Sequence, residues 1–245
     1  MSRILVFMSL AVLTACASHD HPDMNQSSRS GLHFRTLSIN RVDHHYAIYV
    51  PRDLDLSKPV ACVLFLNGRG ECGTDGTKQL GVGLFPAVML DATSWPCIML
   101  FPQKPDPATQ WEDHESLVLG VLDRAREEFT IDPARIALTG LSQGGHGTWV
   151  IGSRHPELFS KLAPICGYGD PASIAPGAAQ VPVRAFHGMK DNVIPVSQSQ
   201  TIVDAIRSID SNADVVLKCY PNADHNSWDH AYRNEDLGRW LTSPR

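Results

Sequence analysis

Short apolar runs punctuate the chain. Residues 60–66 (VACVLFL) run unbroken to Asn67-Gly68, and residues 97–101 (CIMLF) form a second such run. Runs this short and continuous predict strands buried on both faces, as in the middle of a parallel sheet. Further strands are predicted over 135–139, 161–165, 183–186 and 215–220. Residues 33–39 and 43–50, joined at Asn40-Arg41, predict an opening hairpin. Leu117, Val118, Val121, Leu122, Ala125 and Phe129 fall at helical spacing and predict a helix over 112–129. Helices are also predicted over 144–154, 198–209 and 229–241. This alternation predicts an α/β protein with a mostly parallel central sheet of about eight strands and helices on both faces. Chemistry is then expected at the carboxyl ends of the strands.

The first residues read as an address. Arg3 precedes a ten-residue apolar run, Ile4 to Leu13, which is too short to span a bilayer and suits a secretory signal. Leu13-Thr14-Ala15-Cys16 resembles a bacterial lipobox, which implies cleavage before Cys16 and a lipid anchor on its thiol. The chain is therefore expected to divide into a signal peptide (1–15), an anchored polar tether (16–31) and one catalytic domain (32–245). The expected location is the bacterial cell envelope, on the outer membrane or otherwise periplasmic or secreted. Removing Cys16 leaves an odd number of cysteines, and no zinc-like spacing is present. Cys62, Cys97 and Cys219 lie in apolar runs and read as small buried hydrophobes, whereas Cys72 lies in a Gly-rich loop where it could pair.

Composition narrows the classes. The 245 residues carry a net charge of −5, with 43% apolar and 19% charged residues. That is an ordinary globular balance with no basic footprint for nucleic acid. It calls for neither metal nor cofactor.

The predicted strand 135–139 runs into Gly140-Leu141-Ser142-Gln143-Gly144 and then a helix. G-x-S-x-G between strand and helix forms a tight turn that lifts the serine hydroxyl to the sheet edge, beside a helix N-terminus. A serine needs a base, and the base an orienting acid. Asp191 follows the strand 183–186 and His225 follows the strand 215–220, giving the order Ser, acid, His. Ser142 is thus the expected nucleophile, His225 the general base and Asp191 the acid, with Asp170 the rival acid. His146, His155, His187 and His230 are assigned to packing and loop order. The backbone N–H groups of Gln143 and Arg69 are the expected oxyanion donors; Arg69 lies in the loop Asn67-Gly68-Arg69-Gly70-Glu71. Trp228 and Trp111 are expected to stack substrate, with Glu71 and Gln103 as polar neighbours.

These segments resemble the α/β-hydrolase superfamily. Leu66-Asn67-Gly68-Arg69-Gly70-Glu71, the elbow from Gly140 to Trp149, Phe186-His187-Gly188-Met189-Lys190-Asp191 and His225-Asn226-Ser227-Trp228-Asp229 resemble a narrower group. These are bacterial secreted phospholipase/carboxylesterase-like proteins, also labelled predicted peptidases. They are related to feruloyl and acetylxylan esterases and to polyhydroxybutyrate depolymerases. The resemblance implies an α/β-hydrolase fold and a serine esterase acting on short-chain or aryl esters, on small molecules or oligosaccharides. A serine peptidase, or a catalytically silent envelope binding module, is the alternative. The group usually carries His where this chain has Asn67, at the root of the oxyanion loop.

Overall fold

The structure is a computed structural model describing residues 29–245. The signal segment, Cys16 and most of the tether lie outside the described residues. The end of that tether does not: Gly31 already begins a strand, and the Arg29 guanidinium lies 4.9 Å over the Phe129 ring.

The eight predicted strands form one sheet: β1 (Gly31–Ile39), β2 (Val42–Val50), β3 (Val60–Leu66), β4 (Cys97–Pro102), β5 (Ile131–Leu141), β6 (Lys161–Ile165), β7 (Val183–Gly188) and β8 (Val215–Tyr220), in the order β1-β2-β4-β3-β5-β6-β7-β8. The hairpin and its contact with β4 are antiparallel, and every pairing from β4 to β8 is parallel. Asn40 and Arg41 both take positive φ (51° and 66°), as a two-residue turn matched to strand twist requires.

Each central strand is buried on both sides, and its alternation sorts the core into two layers. Cys62, Leu64 and Leu66 of β3 face α2 (Glu115–Glu128), α3 (Gln143–Arg154), α4 (Pro171–Ala178) and α5 (Ser197–Ile209). Ala61, Val63 and Phe65 face α1 (Leu84–Leu90), α6 (Trp228–Asn234) and α7 (Leu237–Thr242). At about 25 cal/mol per Å², burying each of these large side chains contributes roughly 1.5–3 kcal/mol before entropy is charged.

The elements depart from expectation in four places, the first being α1, a helix in a stretch where none was predicted. The predicted helix 112–129 opens as a 3-10 turn, Trp111–His114, closed by reciprocal Gln110 and Asp113 capping bonds, before α2 starts. The predicted helix 229–241 is two helices, broken at Glu235, whose extended backbone lets its carboxylate reach Lys218 and the Tyr220 hydroxyl. The Pro/Ala-rich stretch after β6, for which no helix was predicted, holds α4; Asp170 caps its N-terminus and Pro171 takes the first turn, where no N–H is needed.

The chain moves from β3 to β4 on one side, then returns across to β5 on the other. That reversal opens a crevice beyond the carboxyl ends of β3 and β5, where ligands of open α/β sheets bind.

Candidate active site

The turn from β5 into α3 brings Ser142 into the crevice. Its backbone sits at φ 55° and ψ −115°, a strained region for a side-chain-bearing residue that costs of order 1–3 kcal/mol. Two glycines make the turn possible. A Cβ on Gly140 would lie 2.4 Å from the Gly144 carbonyl oxygen, and one on Gly144 would lie 1.9 Å from the Leu66 oxygen. The Ser142 N–H donates to Ile165 O at 2.9 Å, so the strained residue is tied to β6. Gln143 opens α3, and first-turn N–H groups have no partner within their own helix.

Two later loops complete the cluster. The Ser142 hydroxyl lies 3.0 Å from His225 Nε2, and His225 Nδ1 lies 2.7 Å from Asp191 Oδ2. An ionised carboxylate only accepts, so Nδ1 carries the proton and Nε2 presents its lone pair to the serine. Asp191 is buried, and burial pulls its carboxyl pKa up. Hydrogen bonds from His225 and from the Ile194 and Val193 N–H groups outweigh that and hold it below the ordinary value. The fully buried His187 ring packs behind, bonded to Ser199 Oγ and Ile194 O and 3.3 Å from the same Asp191 oxygen. Burial lowers its pKa and favours the neutral ring. The rival acid Asp170 is spent on the α4 cap, receiving the Ala172 and Ser173 N–H groups.

The loop after β3 lies alongside. Leu66 pairs with Gly140, so the residues leaving β3 run beside the elbow, and Arg69 opens a short 3-10 turn, Arg69–Glu71. The Arg69 side chain is exposed and Glu71 is half-buried, where burial raises its carboxyl pKa. Asn67, the departure from the usual His, is wholly buried. Its amide donates to Gly68 O at 2.7 Å and its Oδ1 accepts the Lys104 N–H at 3.2 Å.

Trp111 corrects a sequence expectation. Its side chain is 0% exposed, its indole N–H donates to Asn67 O at 3.0 Å, and a Cβ on Gly147 would come within 2.6 Å of it. It is a strut beneath the Asn67 loop and offers substrate no face. Trp228 remains at the site, edge-on to His225 with centroids 5.5 Å apart. Gln103 bridges Glu71 O and the Gly76 N–H.

Two neighbours were given no role in the sequence analysis. Cys166 follows β6 as Ser142 follows β5, and this shared strand-end position was the available signal. Its sulfur, the Asp191 carboxylate and the His225 ring lie within 4.8 Å of one another. Burial pushes the thiol pKa up to about 12, so it stays neutral beside Asp191. Of the three, the Asp191 and His225 atoms bond each other. Lys104 is the second, a lone lysine in a Pro-rich stretch. His146, assigned to packing, stacks on Tyr168 at 4.5 Å and bonds Glu112. All five cysteines among the described residues are free, Cys72 included.

The dienelactone hydrolase family profile matches residues 109–235, which include Ser142, Asp191 and His225. A provisionally named carboxymethylenebutenolidase of Escherichia coli (strain K12) is 28% identical over 106 residues, covering 38% of this chain and 37% of that protein. A bifunctional acetylxylan esterase/xylanase of Neocallimastix patriciarum is 30% identical over 122 residues, 48% of this chain and 17% of that protein. The match thus spans well under half the length of these curated relatives. The crystal structure of a thermostable esterase superposes with a TM-score of 0.76 at 29% identity, covering 86% of this chain and 62% of that one.

Proposed function

This chain belongs to the dienelactone hydrolase family, and from that membership we propose that it is a serine carboxylesterase cleaving short-chain or aryl esters of small molecules or oligosaccharides. The observation that carries the reading is the relay Ser142 Oγ to His225 Nε2 (3.0 Å) and His225 Nδ1 to Asp191 (2.7 Å). Ser142 Oγ attacks the ester carbonyl carbon while His225 Nε2 takes its proton. Asp191 holds the imidazole tautomer and stabilises the imidazolium. The carbonyl oxygen, now an anion, accepts from the Gln143 and Arg69 N–H groups, with each such donor contributing roughly 3–4 kcal/mol. His225 returns the proton to the departing alcohol, leaving an acyl-Ser142. Water, deprotonated by His225, then releases the acid and restores Ser142.

The acetylxylan esterase/xylanase relative supports an acyl ester as substrate. Trp228 beside the imidazole suits an aryl acyl or sugar group. Ser142→Ala tests the reading. It is expected to abolish p-nitrophenyl acetate hydrolysis with thermal unfolding nearly unchanged, and residual activity above about a tenth refutes the nucleophile. Acetyl, butyryl, feruloyl and peptide substrates run side by side separate an esterase from a peptidase. We further propose that Cys16 is lipidated and holds the enzyme at the cell envelope. Cys16→Ser is expected to move it to the soluble fraction, and unchanged fractionation refutes the anchor.

A further inference from the structure

Lys104, two residues beyond β4, is 0% exposed, an unusual state for a lysine. Its ammonium is surrounded by neutral oxygens: Asp106 O, Thr109 O at 2.7 Å and Thr109 Oγ1 at 3.5 Å. No carboxylate among the described residues is in ion-pair contact with it, although Asp106 and Asp113 attract it from farther away, and an apolar residue here would leave the carbonyls it gathers without their donor. What distinguishes this site is the second donor on the same carbonyl. Thr109 O also accepts from Gln143 Nε2 at 2.8 Å, and Pro107 O accepts from the same nitrogen at 3.4 Å. Lys104 and Gln143 are therefore one shared oxygen apart. The Lys104 backbone N–H bonds Asn67 Oδ1, so the residue also reaches the root of the Arg69 loop.

We infer that Lys104 is a positioning residue of the oxyanion hole: its ammonium gathers the 106–109 carbonyls into the acceptor that fixes the Gln143 side chain. Gln143 is held at its side chain by Thr109 and at its backbone by the first turn of α3. Its N–H is then fixed before any substrate arrives, and preorganisation of this kind gives oxyanion donors their effect. Lys104 touches no reacting atom and acts through Gln143.

The inference rests on the serine-hydrolase reading, so its test does not depend on the natural substrate. A fluorophosphonate probe reacts as an ester would at its first step. The Ser142 Oγ–P bond forms, the P–F bond breaks, fluoride departs, His225 takes the proton, and the phosphoryl oxygen gains charge facing the oxyanion donors. Lys104→Met is expected to slow the limiting phosphonylation rate at least roughly tenfold while the reversible affinity for the probe stays within about twofold. Lys104→Gln keeps amide donors for Thr109 O and removes the charge; it is expected to slow the same step and carries the test if Lys104→Met does not fold. Gln143→Leu keeps the backbone N–H and leaves Lys104 intact, and it is expected to slow the step as well. Because both residues act through Thr109 O, the double variant is expected to be little slower than the slower single. Folded Lys104 variants or a Gln143→Leu variant labelled at the wild-type rate overturn the inference, as do single losses that multiply in the double variant. A wild-type protein that the probe does not label at all overturns the reading of Ser142, and the inference with it.

Discussion

Replacing Asp191 with Asn removes one charge and reverses the polarity of one hydrogen bond. In the native site Oδ1 accepts the Val193 and Ile194 N–H groups, both at 2.9 Å, and Oδ2 accepts His225 Nδ1–H at 2.7 Å. Asparagine has one acceptor oxygen, and two backbone donors demand it. Its NH2 group is left facing the imidazole, and that contact is favourable only if Nδ1 gives up its proton. The imidazole proton then sits on Nε2, pointing at Ser142 Oγ, and the serine loses its base. A wrong-tautomer imidazole of this kind costs about 10⁴ in kcat, or roughly 5 kcal/mol of barrier. The two backbone donors and the His225 ring keep partners, so the fold is expected to survive. Steady-state hydrolysis of p-nitrophenyl acetate and a thermal melt on the same preparation check both halves. Asp170→Asn is the control, because Asn caps α4 as well as Asp does and activity is expected to stay at wild type. An Asp191→Asn enzyme keeping more than about a tenth of wild-type kcat refutes the tautomer argument, and a loss confined to Asp170→Asn refutes the choice of acid.

Gly144→Ala sets a methyl 1.9 Å from the Leu66 carbonyl oxygen, where backbone must move; a loss of about 4 kcal/mol or more in denaturant unfolding is expected, and a native-like midpoint refutes the close-contact account. His187 is buried with its pKa lowered from 6.5, so below that value the unfolded chain binds a proton that the folded one refuses. Stability is therefore expected to fall as pH drops below about 6.5, and His187→Gln is expected to flatten that limb; His114, lowered in the same way, adds to the same limb. An unchanged slope in the His187→Gln melts sinks this assignment. Trp228→Ala is expected to raise KM for an aryl ester several-fold while changing acetyl ester hydrolysis less, and equal effects on both refute a role in aryl stacking.

The strands were legible because burial on both faces leaves continuous apolar runs, and in 60–66 the run ends at a turn signal, Asn67-Gly68. Helix ends were less so, because they depend on partners distant in sequence. Glu235 breaks the last helix through Lys218 and Tyr220, and nothing local announces that. The loop carrying α4 was missed because proline suggests irregular structure, whereas Pro171 sits in the first turn where proline is at home. That Ser142, Asp191 and His225 come together was legible from the G-x-S-x-G turn with strand-end position and order. Trp111 was misread because sequence gives a loop address and no direction; its indole turned inward once the Asn67 carbonyl offered a partner. Lys104 was missed because its reason for burial, the Thr109 carbonyl it shares with Gln143, is made by a fold and by no motif.

Strain at the site is held by the sheet. Among the described residues, Ser142 and Cys166 are the positive-φ residues other than glycine outside the opening hairpin, at 55° and 39°, and each follows the end of a parallel strand. The Ser142 N–H bonds Ile165 O and the Cys166 N–H bonds Phe186 O, so each strained residue extends the ladder onto the neighbouring strand. The chain ends of β5, β6 and β7 are thereby locked in sequence, and the last of them leads into the loop of Asp191. Relaxing either backbone would forfeit a buried hydrogen bond, at roughly 1–3 kcal/mol, which is comparable to the strain itself. The same bonds that stabilise the strained turns fix the relative heights of Ser142 and the Asp191 loop above the sheet. A parallel sheet with a hydrogen-bonded rim can therefore hold a hydroxyl 3.0 Å from an imidazole carried two strands beyond β6.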